Sequence, residues 1–152
     1  MDEAVARSMA RWPNVPAVYG WLSLDRRGNW RIKGERIGNS ALRDFIARNY
    51  LADERGCWFF QNGPQRVFVG LAYTPLVVHY EGDALLDHCM RPFSPTKVFQ
   101  DEEGSVLVER EGAIALLDDR DLERFSDRAD ALPRIARAEL AGRFGFVTEP
   151  RP

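Results

Sequence analysis

The chain has 152 residues, 45% of them hydrophobic and 29% charged, with nine Phe and four Trp. That is enough apolar material for one ordinary domain, or for two small motifs with a common core, and it excludes wholesale disorder. A net charge of −2 with an isoelectric point near 5.7 argues against a dedicated nucleic-acid binder, whose surface is strongly basic.

Residues 1–18 read as an arm. Val5 and Met9 lie at helical spacing, and Trp12-Pro13-Asn14-Val15-Pro16 then favours extended chain, with Trp12 expected to anchor the arm. Arg7 and Arg11 interrupt any apolar leader, and no later run is long enough to span a bilayer, so a cytoplasmic protein without membrane attachment is expected. From Tyr19 the pattern becomes strand-like through Trp21, Leu22 and Leu24. A turn at Asp25-Arg26-Arg27-Gly28 leads to a return strand in which Trp30 and Ile32 take the core face and Arg31 and Lys33 the water face. Asn39 or Ser40 can cap a helix that carries Leu42, Phe45 and Ile46 and runs to about Leu51. Asp53-Glu54-Arg55-Gly56 ends it. Residues 57–61 and 65–71 form a hairpin around Asn62-Gly63-Pro64, and the run Trp58-Phe59-Phe60 marks a strand buried on both faces. Strands at 76–80 and 84–89 follow, then a loop at 90–96. A further hairpin turns at Asp101-Glu102-Glu103-Gly104, and Asp118 or Asp119 caps a short polar helix over 119–128. Residues 135–140 fit helix and alternation alike; a helical turn and then a strand at 143–148 are expected.

Two of these stretches are written alike. Leu22, the Asp25–Gly28 turn, Trp30-x-Ile32, Ile37, the Asn39/Ser40 cap and Leu42-x-x-Phe45 match Val98, the Asp101–Gly104 turn, Val106-x-Val108, Ile114, the Asp118/Asp119 cap and Leu122-x-x-Phe125. The fold expected is α+β, with two tandem related motifs, each an antiparallel strand group with one helix, sharing one core. An arm at 1–18 precedes a first motif with extra strands at 19–89 and a second at 90–152.

Catalytic signatures are absent. His88 and Cys89 are adjacent and would point to opposite faces of a strand, His79 is alone, and no C-x-x-C occurs, so no metal site is expected. Cys57 and Cys89 read as free, buried thiols. Asp118-Asp119-Arg120-Asp121 lies where a helix begins, which is a capping pattern and lacks the spacing of a calcium loop. No phosphate-cradling glycine loop or nucleophile elbow is found. These residues predict a non-enzymatic protein without a cofactor.

Charge is distributed unevenly. Residues 1–60 hold ten Arg or Lys against seven Asp or Glu, whereas residues 81–130 hold six against fourteen. Such a split is commonly ordinary solvated surface, and it can also mark a partner face. The stretch from Arg26 to Arg36 places five cations beside Trp30, and Asn39 and Ser40 at a helix start add amides that suit an anion. The expected ligand-binding residues are Arg31, Lys33, Arg36, Asn39, Ser40 and Tyr73, at the seam between the motifs beside the 90–96 loop. They would serve a protein partner or a small anionic ligand. The alternative is nucleic-acid binding through the Arg26–Arg36 hairpin with Trp30 as a stacking platform.

Trp30-x-x-x-Gly34-x-x-Ile37-Gly38, preceded by Leu24-x-x-x-Gly28 and followed by Leu42-x-x-Phe45, resembles a bacterial domain-of-unknown-function family, DUF1285, or a relative of it. The likeness continues through Gly63-Pro64-Gln65-Arg66-Val67 and Tyr73-Thr74-Pro75-Leu76, and more weakly through residues 101–125. It implies a mixed α+β fold of repeated motifs and a role in signal transduction, with no catalytic residue to carry over. Arg27-Gly28 stands where that family has Asp-Gly, and Asn39 where it tends to have Arg.

Overall fold

A computed structural model describes every residue from Met1 to Pro152. The fold is α+β, and the chain forms two compact units, Met1–Asp25 with Asn29–Ala72 and Phe146–Pro152, and Arg26–Gly28 with Tyr73–Gly145. The first unit contains α1 (Glu3–Arg11), β1 (Val18–Leu24), β2 (Trp30–Ile32), β3 (Glu35–Arg36), α2 (Ser40–Arg48), β4 (Tyr50–Ala52), β5 (Trp58–Asn62) and β6 (Gln65–Leu71). Its sheet runs β3-β2-β1-β6-β5-β4. The second unit contains β7 (Leu76–Glu81), β8 (Ala84–Asp87), β9 (Lys97–Gln100), β10 (Val106–Arg110), β11 (Ala113–Leu117), a 3-10 segment at Asp119–Phe125 and α3 (Leu140–Phe144). Its sheet runs β8-β7-β11-β10-β9.

The two sheets are the same design. Each has a hairpin, β1–β2 or β7–β8, and a three-strand meander, β4–β5–β6 or β9–β10–β11, whose last strand returns parallel to the first strand of the hairpin. Each strand group is therefore antiparallel except at one central parallel pair. The register of the repeat differs from the one the sequence suggests. The Asp101–Gly104 turn joins β9 to β10, so its counterpart is the Asp53–Gly56 turn between β4 and β5, not the Asp25–Gly28 turn between β1 and β2. The strands at 76–81 and 84–87, grouped by sequence with the first motif, pair in the second sheet.

The misleading likeness has a local cause, since one turn chemistry recurs four times. At Asp25, Asp53, Asp87 and Asp101 a carboxylate oxygen accepts the amide of the residue four places on (Asn29, Cys57, Arg91, Ser105) at 2.8–3.0 Å. That residue's carbonyl accepts the Asp amide in return. The chain reverses through a left-handed residue at the fourth position, Gly28, Gly56, Met90 or Gly104. A self-contained turn of this kind can be written anywhere a hairpin is needed, so it marks hairpins rather than repeat boundaries.

Tertiary contacts override two expected boundaries. The α2 helix stops at Arg48 because Asn49, fully buried, donates from Nδ2 to the Phe45 carbonyl and accepts the Asp2 amide on Oδ1. Tyr50 then joins a strand, its ring edge-on to Trp30 at 4.8 Å and beside Trp58. At the other end, the strand expected at 143–148 is a single bridge, Val147 to Cys57, after the α3 helix. The 119–128 helix is 3-10 over Asp119–Phe125. Trp12 does not anchor the arm, since it is 52% exposed with Arg11 over its ring. Buried Val5 and the Asp2–Arg48 and Asp2–Asn49 contacts hold α1 instead. No helix is long and apolar enough to cross a membrane.

Candidate functional site

The predicted basic residues fall on the first unit. Arg31 and Arg36 are direct cross-strand partners on β2 and β3. Arg31 is engaged within the fold, donating to Asp25 Oδ2 at 2.9 Å and to the Gly34 carbonyl. Asn39 caps α2, its side-chain oxygen accepting the Leu42 amide at 3.0 Å, and Ser40 is the first helical residue, exposed. Lys33 and Arg36 are exposed. Tyr73 lies in the second unit and is 4% exposed. Its hydroxyl donates to Asp101 at 2.7 Å, and the Arg26 and Arg137 guanidinium groups pack over its ring. Burial, with the Asp101 contact, drives the Tyr73 phenol well above its ordinary range. A side chain so enclosed is a structural latch and presents no face to a ligand.

Trp30 is 3% exposed and cannot stack on a base. Its strand neighbour Ile32, expected in the core with it, is 41% exposed, and so is Leu42 at 37%. An exposed aromatic within the sheet is Trp21, at 51%. Three features place it. The pairing of β1 with β6 shifts between Val18 and Leu22, a bulge that centres on left-handed Gly20. Lys33 and Gly34 form the β2–β3 turn with positive φ at both, and the Lys33 amide donates to the Trp21 carbonyl at 2.9 Å. The Lys33 ammonium then sits 4.3 Å from the Trp21 ring centroid.

Two open concavities lie against β1. One, of about 620 Å³, is bordered by Tyr19, Trp21, Lys33, Phe68 and the Glu149–Arg151 pair, with Tyr19 stacked on Phe68 at 4.7 Å. The other, of about 400 Å³, lies between the sheet and α2 and is lined by apolar side chains including Ile32, Leu42 and Phe60. Trp21 and Leu22 line both. The sequence does carry a signal for the site: a glycine between two aromatics, Tyr19-Gly20-Trp21, marks a bulge or a close approach.

His79 meets Glu81 at 3.3 Å, and His88 Nδ1 accepts the Val77 amide. Burial pushes the Cys89 thiol up to about 12 and raises the Cys57 thiol as well, so neither is a thiolate near neutrality. Burial would also raise Asp118, but hydrogen bonds from the Arg120 side chain and amide outweigh it and hold the carboxyl below the usual range. Asp118 thus caps the 3-10 segment. No group of three or more His, Cys, Asp or Glu side chains is placed to hold a metal.

The family DUF2944, described as "Protein of unknown function (DUF2946)", matches residues 1–151. The chain belongs to this family. Among solved structures, a DUF1285 family protein from Silicibacter pomeroyi DSS-3 is similar at 18% identity with a TM-score of 0.55, over 84% of this chain and 78% of that one. A second DUF1285 family protein, from Shewanella baltica OS155, is similar at 14% identity with a TM-score of 0.48, over 70% of this chain and 90% of that one. No curated protein matches. The resemblance to DUF1285 read from the sequence therefore holds for this family member at the level of fold.

Proposed function

We propose that the chain is a non-catalytic, cytoplasmic binding and regulatory module that recognises a small anionic ligand at the Trp21–Lys33 platform. The observation that carries this reading is the Lys33 ammonium held 4.3 Å over the half-exposed Trp21 ring at the mouth of the 620 Å³ concavity. A cation on an exposed aromatic offers an anion both charge and a flat apolar surface, and the concavity is of ligand size. Arg36 adds a second exposed cation on the neighbouring strand. A role in signalling would follow from ligand-dependent stabilisation of the first unit. The nucleic-acid reading loses its stacking residue with Trp30 buried.

The test is a panel of carboxylated and phosphorylated metabolites read by melting temperature and by Trp fluorescence, on the native chain and on Lys33→Asn. Asn tolerates the left-handed backbone that Lys33 adopts, so the variant removes charge without straining the turn. A ligand should raise the melting temperature of the native chain and bind Lys33→Asn about tenfold more weakly, the loss of one charge-assisted contact. A flat response to every anion in the panel would sink the reading.

A further inference from the structure

The floor of the 620 Å³ concavity carries a glycine that the backbone does not require. Gly70 lies within β6, paired in regular register with Ser23, and Leu71 after it pairs with Leu24. Glycine inside a strand costs stability and marks a bulge, a bend or the close approach of a backbone or a ligand. The bulge in this strand pair lies on β1, between Val18 and Leu22, and Gly70 is not among the left-handed residues. No other segment crowds it either. A Cβ at position 70 would meet only the Leu22 carbonyl oxygen and Ser23 Cβ, each at 3.9 Å, which is ordinary contact. Alternation turns Gly70 and Ser23 away from the face on which Val69 and Leu22 are buried, and toward the concavity that both line. The reason left for glycine there is a ligand that lies on the sheet.

We propose that this concavity takes a planar aromatic carboxylate, with its ring over Gly70 beside Trp21 and Tyr19 and its carboxylate at Lys33. The inference rests on the Trp21–Lys33 reading and names the ligand class for it. The walls explain the ring. Trp21 is half-exposed, and Tyr19, stacked on Phe68 at 4.7 Å, adds a second aromatic to the lining. Aromatic faces and edges select another ring through its quadrupole, beyond the area that is buried. The charges explain the acid. The charged side chains of the lining are Lys33, Glu149 and Arg151, and the last two pair with each other at 3.1 Å. Lys33, set against the Trp21 ring, is left to meet an anion. A single ammonium suits a carboxylate. A phosphate commonly draws on a helix N-terminus or a guanidinium fork, and no lining residue lies in a helix.

The experiment measures binding of acetate, cyclohexanecarboxylate, benzoate and 2-naphthoate by calorimetry. Benzoate should bind about two- to tenfold more tightly than cyclohexanecarboxylate, the range of one aromatic pair, and 2-naphthoate more tightly still. Area burial alone predicts the reverse order for the first two, since the saturated ring is the more apolar. Gly70→Val should be at least as stable as the native chain in urea, because valine favours a strand. It should nevertheless bring all three ring acids down to the affinity of acetate. Gly70→Ala supplies the same test if Gly70→Val does not fold. Trp21→Leu should remove the preference for benzoate over cyclohexanecarboxylate, and Lys33→Asn should weaken every acid. Cyclohexanecarboxylate bound as tightly as benzoate would overturn the aromatic ligand and leave the anion platform standing. So would a folded Gly70→Val that binds benzoate like the native chain. Phenyl phosphate bound more tightly than benzoate would overturn the carboxylate. No binding by any anion would overturn both readings.

Discussion

Removing the Tyr73 hydroxyl isolates one buried contact of the second unit. Asp101 is fully buried, with Oδ1 accepting the Glu103 and Ser105 amides at 3.0 and 2.8 Å and Oδ2 accepting the Tyr73 hydroxyl at 2.7 Å. In Tyr73→Phe the ring and its two guanidinium neighbours remain, so the packing change is small. What goes is one short hydrogen bond to a buried carboxylate. A hydrogen bond to a charged group contributes about 1.5–3 kcal/mol, and an oxygen left buried without its partner puts the loss toward the upper end. The expected loss is about 2–3 kcal/mol by urea unfolding. Asp101→Ala should cost about 3–5 kcal/mol, since two turn amides lose their acceptor as well. The double variant should then cost little more than Asp101→Ala alone, giving a coupling of about 2 kcal/mol. A Tyr73→Phe loss below about 0.5 kcal/mol, or fully additive variants, would refute the assignment of Tyr73 as a latch.

Two further outcomes follow from the same structure. Glu111 occupies a left-handed position (φ 50°) before Gly112 in the β10–β11 turn, where Asn is the residue such a turn prefers. Glu111→Asn should therefore stabilise by about 0.5–1 kcal/mol in urea, and a loss would refute the turn geometry. Burial raises the Cys89 thiol from its ordinary 9.0 to about 12. A raised folded value means the stabilisation is fully present below pH 9 and is lost as pH climbs toward 12. Cys89→Ala should accordingly lose less stability than the native chain between pH 9 and 11. Parallel urea midpoints for the two proteins across that range would refute it.

Much of the architecture was legible in one dimension because it is locally coded. The Asp-x-x-Gly turns carry their own hydrogen bonds, the Asn39 cap closes on Leu42 three residues away, and Trp58-Phe59-Phe60 is apolar on both faces of a strand. The tandem character was legible for the same reason, since two chains of hairpin signals recur. Its register was not. Equivalence between β4–β5 and β9–β10 is set by which strand returns parallel to which, and pairing across tens of residues leaves no periodic trace in the sequence. The Asp87 turn was hidden as well, because Met90 rather than Gly takes its left-handed position.

The candidate site divides along the same line. Sequence alone determined that Lys33 is a cation beside a turn and that Trp30 faces inward. Periodicity tells which side of a strand a residue takes, but not whether anything covers that side. Ile32 and Leu42 have core-facing periodicity and are nevertheless exposed, because α2 leaves a groove above the sheet, and only packing decides that. Trp21 is reached by the same route. A bulge at Gly20 interrupts its strand, the β2–β3 turn brings Lys33 onto its ring, and an alternating aromatic becomes an exposed platform on the sheet.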